Sequence, residues 1–204
     1  MPAIESLYSV LLLWAILGYL AGSIPSGMIL ARMMNLGNLR DIGSGNIGAT
    51  NVLRTGNKKA AALTLLFDAA KGAVVVLAAR QFAGEDAAQI GALMAFLGHC
   101  FPVWLSFKGG KGVATYFGIL LAVNWQIGLI ACAIWLVVAA VSRYSSLAAL
   151  VTAGWTPLII GFITTGEMFF LSAALCLLIY IRHWPNIQRL RKGPESKIGA
   201  KAKA

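Results

Sequence analysis

GVATYFGILLAVNWQIGLIACAIWLVVAAVS, residues 112–142, carries no Asp, Glu, Lys or Arg. Its reading decides the fold: one long tilted helix, or two short ones broken around Asn124, Trp125 and Gln126. Residues 6–31, 87–107 and 144–166 are also free of charge, and each run exceeds the roughly 20 residues that span a hydrocarbon core. Around them, the chain of 204 residues is 59% hydrophobic with 24 charged side chains and a mean hydropathy of +0.78. A water-soluble fold of this size does not have that composition. The class is therefore an all-α polytopic membrane protein, which excludes a soluble enzyme, a disordered chain and a collagen-like chain.

Seven candidate spans follow, near 6–34, 58–80, 87–105, 112–123, 126–141, 147–163 and 167–183. Charge arithmetic divides 112–142. With seven spans, the alternate segments 32–59, 106–111, 142–146 and the tail from 182 hold 15 of the 17 Lys and Arg. The other side receives Arg80 with Glu5, Glu85, Asp86 and Glu167. A single helix over 112–141 would split the basic segments between the two faces, against the positive-inside tendency. Seven transmembrane helices are therefore expected, with the N-terminus outside, the C-terminus cytoplasmic and the basic face inward. The span at 112–123 is only about 18 Å long, so it must lean on its neighbours or enter part of the membrane. Residues 1–192 read as one domain, and 193–204 as a basic, disordered cytoplasmic tail. The first apolar run has Glu5 and no Lys or Arg before it, so it stays as a helix and is not a cleavable signal. The +10 charge is ascribed to orientation and anionic lipid, not to nucleic acid. Cys100, Cys132 and Cys176 form no CxxC, which argues against a disulfide framework or a thiolate metal site.

Three polar segments fall on the inward side. The first, Gly43-Ser44-Gly45-Asn46-Ile47-Gly48-Ala49-Thr50-Asn51, matches GxGxxG formally but follows a membrane helix instead of a strand, and it lacks the Lys of a Walker A loop. Its glycines could let backbone N–H groups converge on an anion, with donors from Ser44, Thr50 and Asn51 and the planar fork of Arg54. The bland alternative is a tight connector. The second segment, Lys108-Gly109-Gly110-Lys111-Gly112, precedes an apolar span and reads either as a helix N-terminus with a lysine beside it or as two interfacial anchors. The third is His183-Trp184-Pro185-Asn186. Together they suggest a cytoplasm-facing site for a phosphorylated ligand. Asp68 and Lys71, three apart within a span, are functional candidates by position, although mutual neutralisation explains both. His99 reads equally as structural or catalytic. HExxH, paired-Asp, GxSxG and H-x4-D signatures are all missing from the sequence.

Gly22-Ser23-Ile24-Pro25-Ser26-Gly27, GSGNIGATNVLR at 43–54, GHCFPVWLSFKGGKGVAT at 98–115, RYSS at 143–146 and HWPNIQRLRKGPESK at 183–197 together resemble the bacterial acyl-phosphate:glycerol-3-phosphate acyltransferases, the PlsY family. The resemblance implies a seven-helix inner-membrane enzyme, without metal or cofactor. Such an enzyme moves a fatty acyl group from acyl phosphate to the 1-hydroxyl of glycerol 3-phosphate, giving lysophosphatidate and inorganic phosphate. It implies Ser44, Arg54 and Lys111 as phosphate binders and Asn46, Thr50 and Asn51 as shapers of the pocket. Gly43, Gly45, Gly109 and Gly110 would supply loop backbone. His183 and Asn186 would position glycerol phosphate, and Ser146 would contact substrate, with Ser145 an alternative for that role. An acyl phosphate is an activated mixed anhydride, so attack by a hydroxyl chiefly needs positioning and charge stabilisation. A small anion transporter is the rival reading, but no internal repeat of the transporter kind is seen.

Overall fold

The computed structural model describes residues 2–164 and 166–199, and all regular structure among them is helical. Helix α1 (Tyr8–Gly22) and α2 (Ser26–Met33) make the first apolar span. They are separated at Ser23-Ile24-Pro25, where Pro25 lacks the N–H that would continue the helix. A single turn, α3 (Ala49–Val52), ends the long polar loop. Helix α4 (Lys58–Ala83) starts at Asn57, whose side chain accepts the Ala60 N–H at 2.9 Å. After Gly84 come α5 (Glu85–Cys100), α6 (Val113–Val123), α7 (Trp125–Ser142), α8 (Ser145–Ile163), α9 (Phe169–Arg182) and α10 (Trp184–Lys192).

Residues 112–142 thus form two helices. Asn124 makes the division: its side-chain oxygen accepts the N–H groups of Gln126 and Ile127, each at 3.1 Å, and so begins α7. The end of α6 is closed by a cation. Arg80 of α4 donates to the Ala122 and Val123 carbonyls at 2.6 and 3.1 Å and pairs with Glu85 at 2.6 Å. Arg80 thus caps the C-terminal end of a short helix.

Five segments are long and apolar enough to cross a membrane, and a sixth arises if α9 and α10, bent by 57°, are taken together. The 11-residue α6 is shorter. The sequence reading expected seven spans. The short, strongly basic α10 was not anticipated because its composition carries no hydropathy signal, although Pro185 sits in its first turn.

Small residues bring the helices together. A Cβ on Gly22 of α1 would lie 2.0 Å from the Ala95 carbonyl oxygen of α5, and one on Gly118 of α6 would lie 2.0 Å from that of Ala69 in α4. Phe96, Tyr116, Ile119, Leu120, Ile160, Leu175 and Ile179 fill the interior. Apolar groups such as Val141 (84% exposed) and Phe162 (90%) face outward, as expected of surface in contact with lipid. Within the bundle, Lys71 Nζ donates to Asp68 Oδ1 and to the Ile24 carbonyl, both at 2.9 Å. The expected local ion pair therefore exists, and the lysine also satisfies a carbonyl at the α1–α2 break.

The tail was expected to be disordered from 193. Instead, Ile198 donates its N–H to the Arg143 carbonyl at 2.7 Å, and Lys197 Nζ lies 5.8 Å from the centre of the Tyr144 ring. The remainder of that tail, 200–204, lies outside the described residues.

Candidate functional site

The polar loop between α2 and α4 is organised by one buried amide. Asn51 Oδ1 accepts from Ser44 N at 3.0 Å, Ser44 Oγ at 3.3 Å and Arg54 Nη1 at 3.1 Å, while Asn51 Nδ2 donates to the Leu39 carbonyl at 3.0 Å. Asn51, expected as a donor and as a shaper of the pocket, is the hub that sets Ser44 and Arg54 side by side. Gly43 has φ +54°, and a Cβ there would lie 2.6 Å from Arg54 Cδ, so only glycine lets the arginine cross the turn. Asn46 lies against Gly48. Thr50 Oγ1 and Ser145 Oγ are 3.3 Å apart, which joins this loop to the start of α8. Asp41 accepts from Asn38 Nδ2 at 2.9 Å.

The Lys108–Gly112 loop is held from behind. Gly109 and Gly110 donate their N–H groups to the Cys100 and His99 carbonyls, both at 3.0 Å. Their own carbonyls accept from Arg182 Nη2 and Nε, again at 3.0 Å. These amides, expected to face a phosphate, satisfy the end of α5 instead, and the loop's contribution to the site is the placement of Lys111. A Cβ on Gly110 would sit 2.1 Å from His99 Nε2, so the imidazole packs directly beneath the loop. Arg40 ties the two glycine segments together, donating to the Gly45 carbonyl at 3.2 Å and to that of Lys108.

Lys111 Nζ donates to Asn186 Oδ1 at 2.5 Å. Asn186 and Ser146 are buried, and both donate to one oxygen of Glu195, at 2.6 and 2.7 Å. His183 is buried with Nδ1 2.9 Å from the Ile179 carbonyl. Since a carbonyl only accepts, the proton of the neutral ring sits on Nδ1 and leaves Nε2 as an acceptor. Arg54 also contacts the Ser196 hydroxyl. A cleft of about 120 Å³ lies between Thr50, Leu53, Arg54 and the stretch Lys197–Gly199. Burial brings the Lys111 pKa down to about 8, opposed by the charge of Glu195 and assisted by Arg189, Arg54 and Arg182. Glu195 is held below the usual carboxylate range: burial raises its pKa, but donors from Ser146, Asn186 and Arg189 outweigh it.

Four segments far apart in sequence thus converge on one polar cluster rich in cations. The sequence model described as Glycerol-3-phosphate acyltransferase matches residues 12–193. The chain belongs to the glycerol-3-phosphate acyltransferase (PlsY) family. Two curated glycerol-3-phosphate acyltransferases are close in sequence. That of Jannaschia sp. (strain CCS1) is 59% identical and covers 97% of this chain and 98% of its own length. That of Ruegeria pomeroyi is 56% identical and covers 99% and 100%. The fold matches crystal structures of PlsY (YgiH), an integral membrane glycerol 3-phosphate acyltransferase. Its glycerol 3-phosphate form has a TM-score of 0.87 at 36% identity, covering 93% of this chain and 96% of that one. Its lysophosphatidic acid form has a TM-score of 0.83 at 35% identity, covering 93% and 95%.

The polar cluster contains residues that the sequence reading did not single out. Arg40, Arg182, Arg189, Glu195 and Ser196 all lie in or beside the quoted motifs, yet no spacing rule marks them. Their partners are 5 to 142 residues away. Ser145 and Ser146, left as alternatives, divide the work: Ser145 meets Thr50, and Ser146 joins the Asn186 and Glu195 cluster.

Proposed function

We propose that this membrane acyltransferase takes acyl phosphate as donor and transfers the acyl group to the 1-hydroxyl of glycerol 3-phosphate. The observation that carries this reading is the gathering of Lys111, Ser146 and Asn186 around Glu195, with Arg54 bonded to the adjacent Ser196, so that four segments meet in one hydrogen-bonded cluster. Cations and hydroxyls suited to phosphate are present, and the substrate is already activated. Arg54, Lys111 and Ser44 bind phosphate, while Thr50, Asn46 and the Gly43–Gly45 turn shape the pocket. His183, with Nε2 as acceptor, and Asn186 orient the glycerol phosphate. The hydroxyl oxygen forms the new bond to the acyl carbon as the carbon–oxygen bond to phosphate breaks. The hydroxyl proton passes to a phosphate oxygen, so lysophosphatidate and inorganic phosphate leave in balance. The acyl chain lies between helices, in contact with lipid.

Lysophosphatidate formation in detergent is expected with acyl phosphate and not with acyl-CoA, because the short loops offer no platform for adenosine. Among the described residues no three His, Cys, Asp or Glu side chains gather as metal ligands, and turnover is expected to survive EDTA. Activity with acyl-CoA alone, or EDTA-sensitive activity restored by a divalent ion, would overturn this mechanism.

The proposed topology has seven spans, α6 included, the N-terminus outside and the site facing the cytoplasm of the inner membrane. In a background without Cys100, Cys132 and Cys176, an impermeant thiol reagent applied to intact spheroplasts is expected to label Glu5→Cys and Glu167→Cys. Lys58→Cys and Lys192→Cys should label only after lysis. Labelling of position 58 from outside would reverse the orientation.

A further inference from the structure

Glu195 brings a carboxylate into a pocket otherwise built of cations and neutral donors. The residues around it, Gly193, Pro194, Ser196 and Lys197, are exposed, yet its own side chain is only 7% exposed. One oxygen accepts from Ser146 Oγ at 2.7 Å and Asn186 Nδ2 at 2.6 Å, and the other from Arg189 Nε at 2.7 Å. Asn186 is therefore clamped between opposites. An ionised carboxylate only accepts and an ammonium only donates, so the amide has one orientation: NH2 toward Glu195, oxygen toward Lys111. Turned over, it would aim donor against donor at Lys111 Nζ.

We propose that Glu195 is a positioning residue of the transfer reaction: by fixing the Asn186 amide and the Ser146 hydroxyl, it holds the Lys111 ammonium where phosphate is met. This rests on the reading of Lys111 as a phosphate binder. It makes the segment after α10 part of the site instead of an appendage. Arg189 aligns the carboxylate, and Ser196 on Arg54 secures the same segment at a second cation. Around Lys111 the charged and titratable groups are Lys108 on its own loop, Arg54 after α3, Arg182 and His183 at the end of α9, Arg189 on α10, and Glu195. Glu195 is the one anion in this set, and its charge favours the protonated amine against burial and the charges of Arg189, Arg54 and Arg182.

The test is Glu195→Gln, which preserves shape and removes the charge, with Glu195→Asp as the conservative variant. The Lys111 pKa is measured by competitive amine acylation followed by mass spectrometry, which needs no activity. The inference predicts a fall of about half to one unit in Glu195→Gln, since removal of an opposite charge favours the neutral amine, and partial recovery in Glu195→Asp. In parallel, kcat/KM for glycerol 3-phosphate is expected to drop about tenfold or more, the size of one lost charge-assisted hydrogen bond. Its alkaline limb should move to lower pH by the same interval as the amine. An unchanged Lys111 pKa overturns the inference. So does a lower KM with tighter inhibition by inorganic phosphate, because Glu195 would then be a competitor standing in the phosphate position. A shifted pKa in an enzyme whose wild type makes no lysophosphatidate from acyl phosphate would sink the functional reading alone.

Discussion

Lys111→Ala is expected to insert, purify and melt close to wild type while losing most of its turnover. The ammonium is partly buried and bonded to Asn186, so it meets substrate phosphate in a partly desolvated site. Truncating one partner of such a charge pair costs about 2–5 kcal/mol, or roughly thirtyfold to several thousandfold in kcat/KM, whereas an exposed anchor would cost about 0–1 kcal/mol. Arg54→Ala should behave alike, and Arg54→Lys should remain impaired. The guanidinium reaches Asn51 and Ser196 at once, and a point charge cannot reproduce that fork. Wild-type rates in Lys111→Ala would reduce this residue to a helix anchor. The pH dependence has a definite sign. With the Lys111 pKa brought down to about 8 by burial, the free enzyme loses the cation as pH rises through that value. Capture of glycerol 3-phosphate should then weaken on the alkaline side as Lys111 loses its proton.

The second large effect is structural. In Gly118→Ala the new methyl would meet backbone only, at 2.0 Å from the Ala69 oxygen and 2.6 Å from its carbon. No side chain can turn away, so α4 and α6 must part. Overpacking of this kind costs about 1–3 kcal/mol or more, and the displaced α6 carries the Lys111 loop at its start. A thermal midpoint in detergent lowered by several degrees, together with reduced activity, is expected. Gly161→Ala is the control, since a Cβ there meets nothing within 4 Å. Equal stability of the two variants would refute the tight α4–α6 contact.

How far the sequence carries the argument differs between elements. The division of 112–142 was legible because two independent signals met there, the polar triplet at 124–126 and the distribution of basic residues. Asn124 does cap a new helix. The ion pair of Asp68 and Lys71 was legible because three-residue spacing puts two side chains on one helical face. By contrast α10 escaped detection: nine residues, five of them polar, beside a long apolar run look like a tail unless something folds them back. The Lys108–Gly112 loop read locally either as a helix N-terminus or as interfacial anchors, and neither reading could reveal that α5 ends against its amides.

Composition and charge-free length determined by themselves that this is a helical membrane protein, because burying backbone in lipid leaves few solutions. The asymmetry of Lys and Arg set its expected orientation, and five short motifs in order set its family. Only the tertiary structure decided which polar groups face one another: Arg80 on the end of α6, Asn51 as hub, Arg182 and His99 behind the Lys111 loop, and Glu195 inside the pocket. Hydropathy and capping act between near neighbours and leave a periodic trace in the chain. A hydrogen bond such as that of Ser146 to Glu195, 49 residues apart, depends on how whole helices are packed, and packing has no one-dimensional signature.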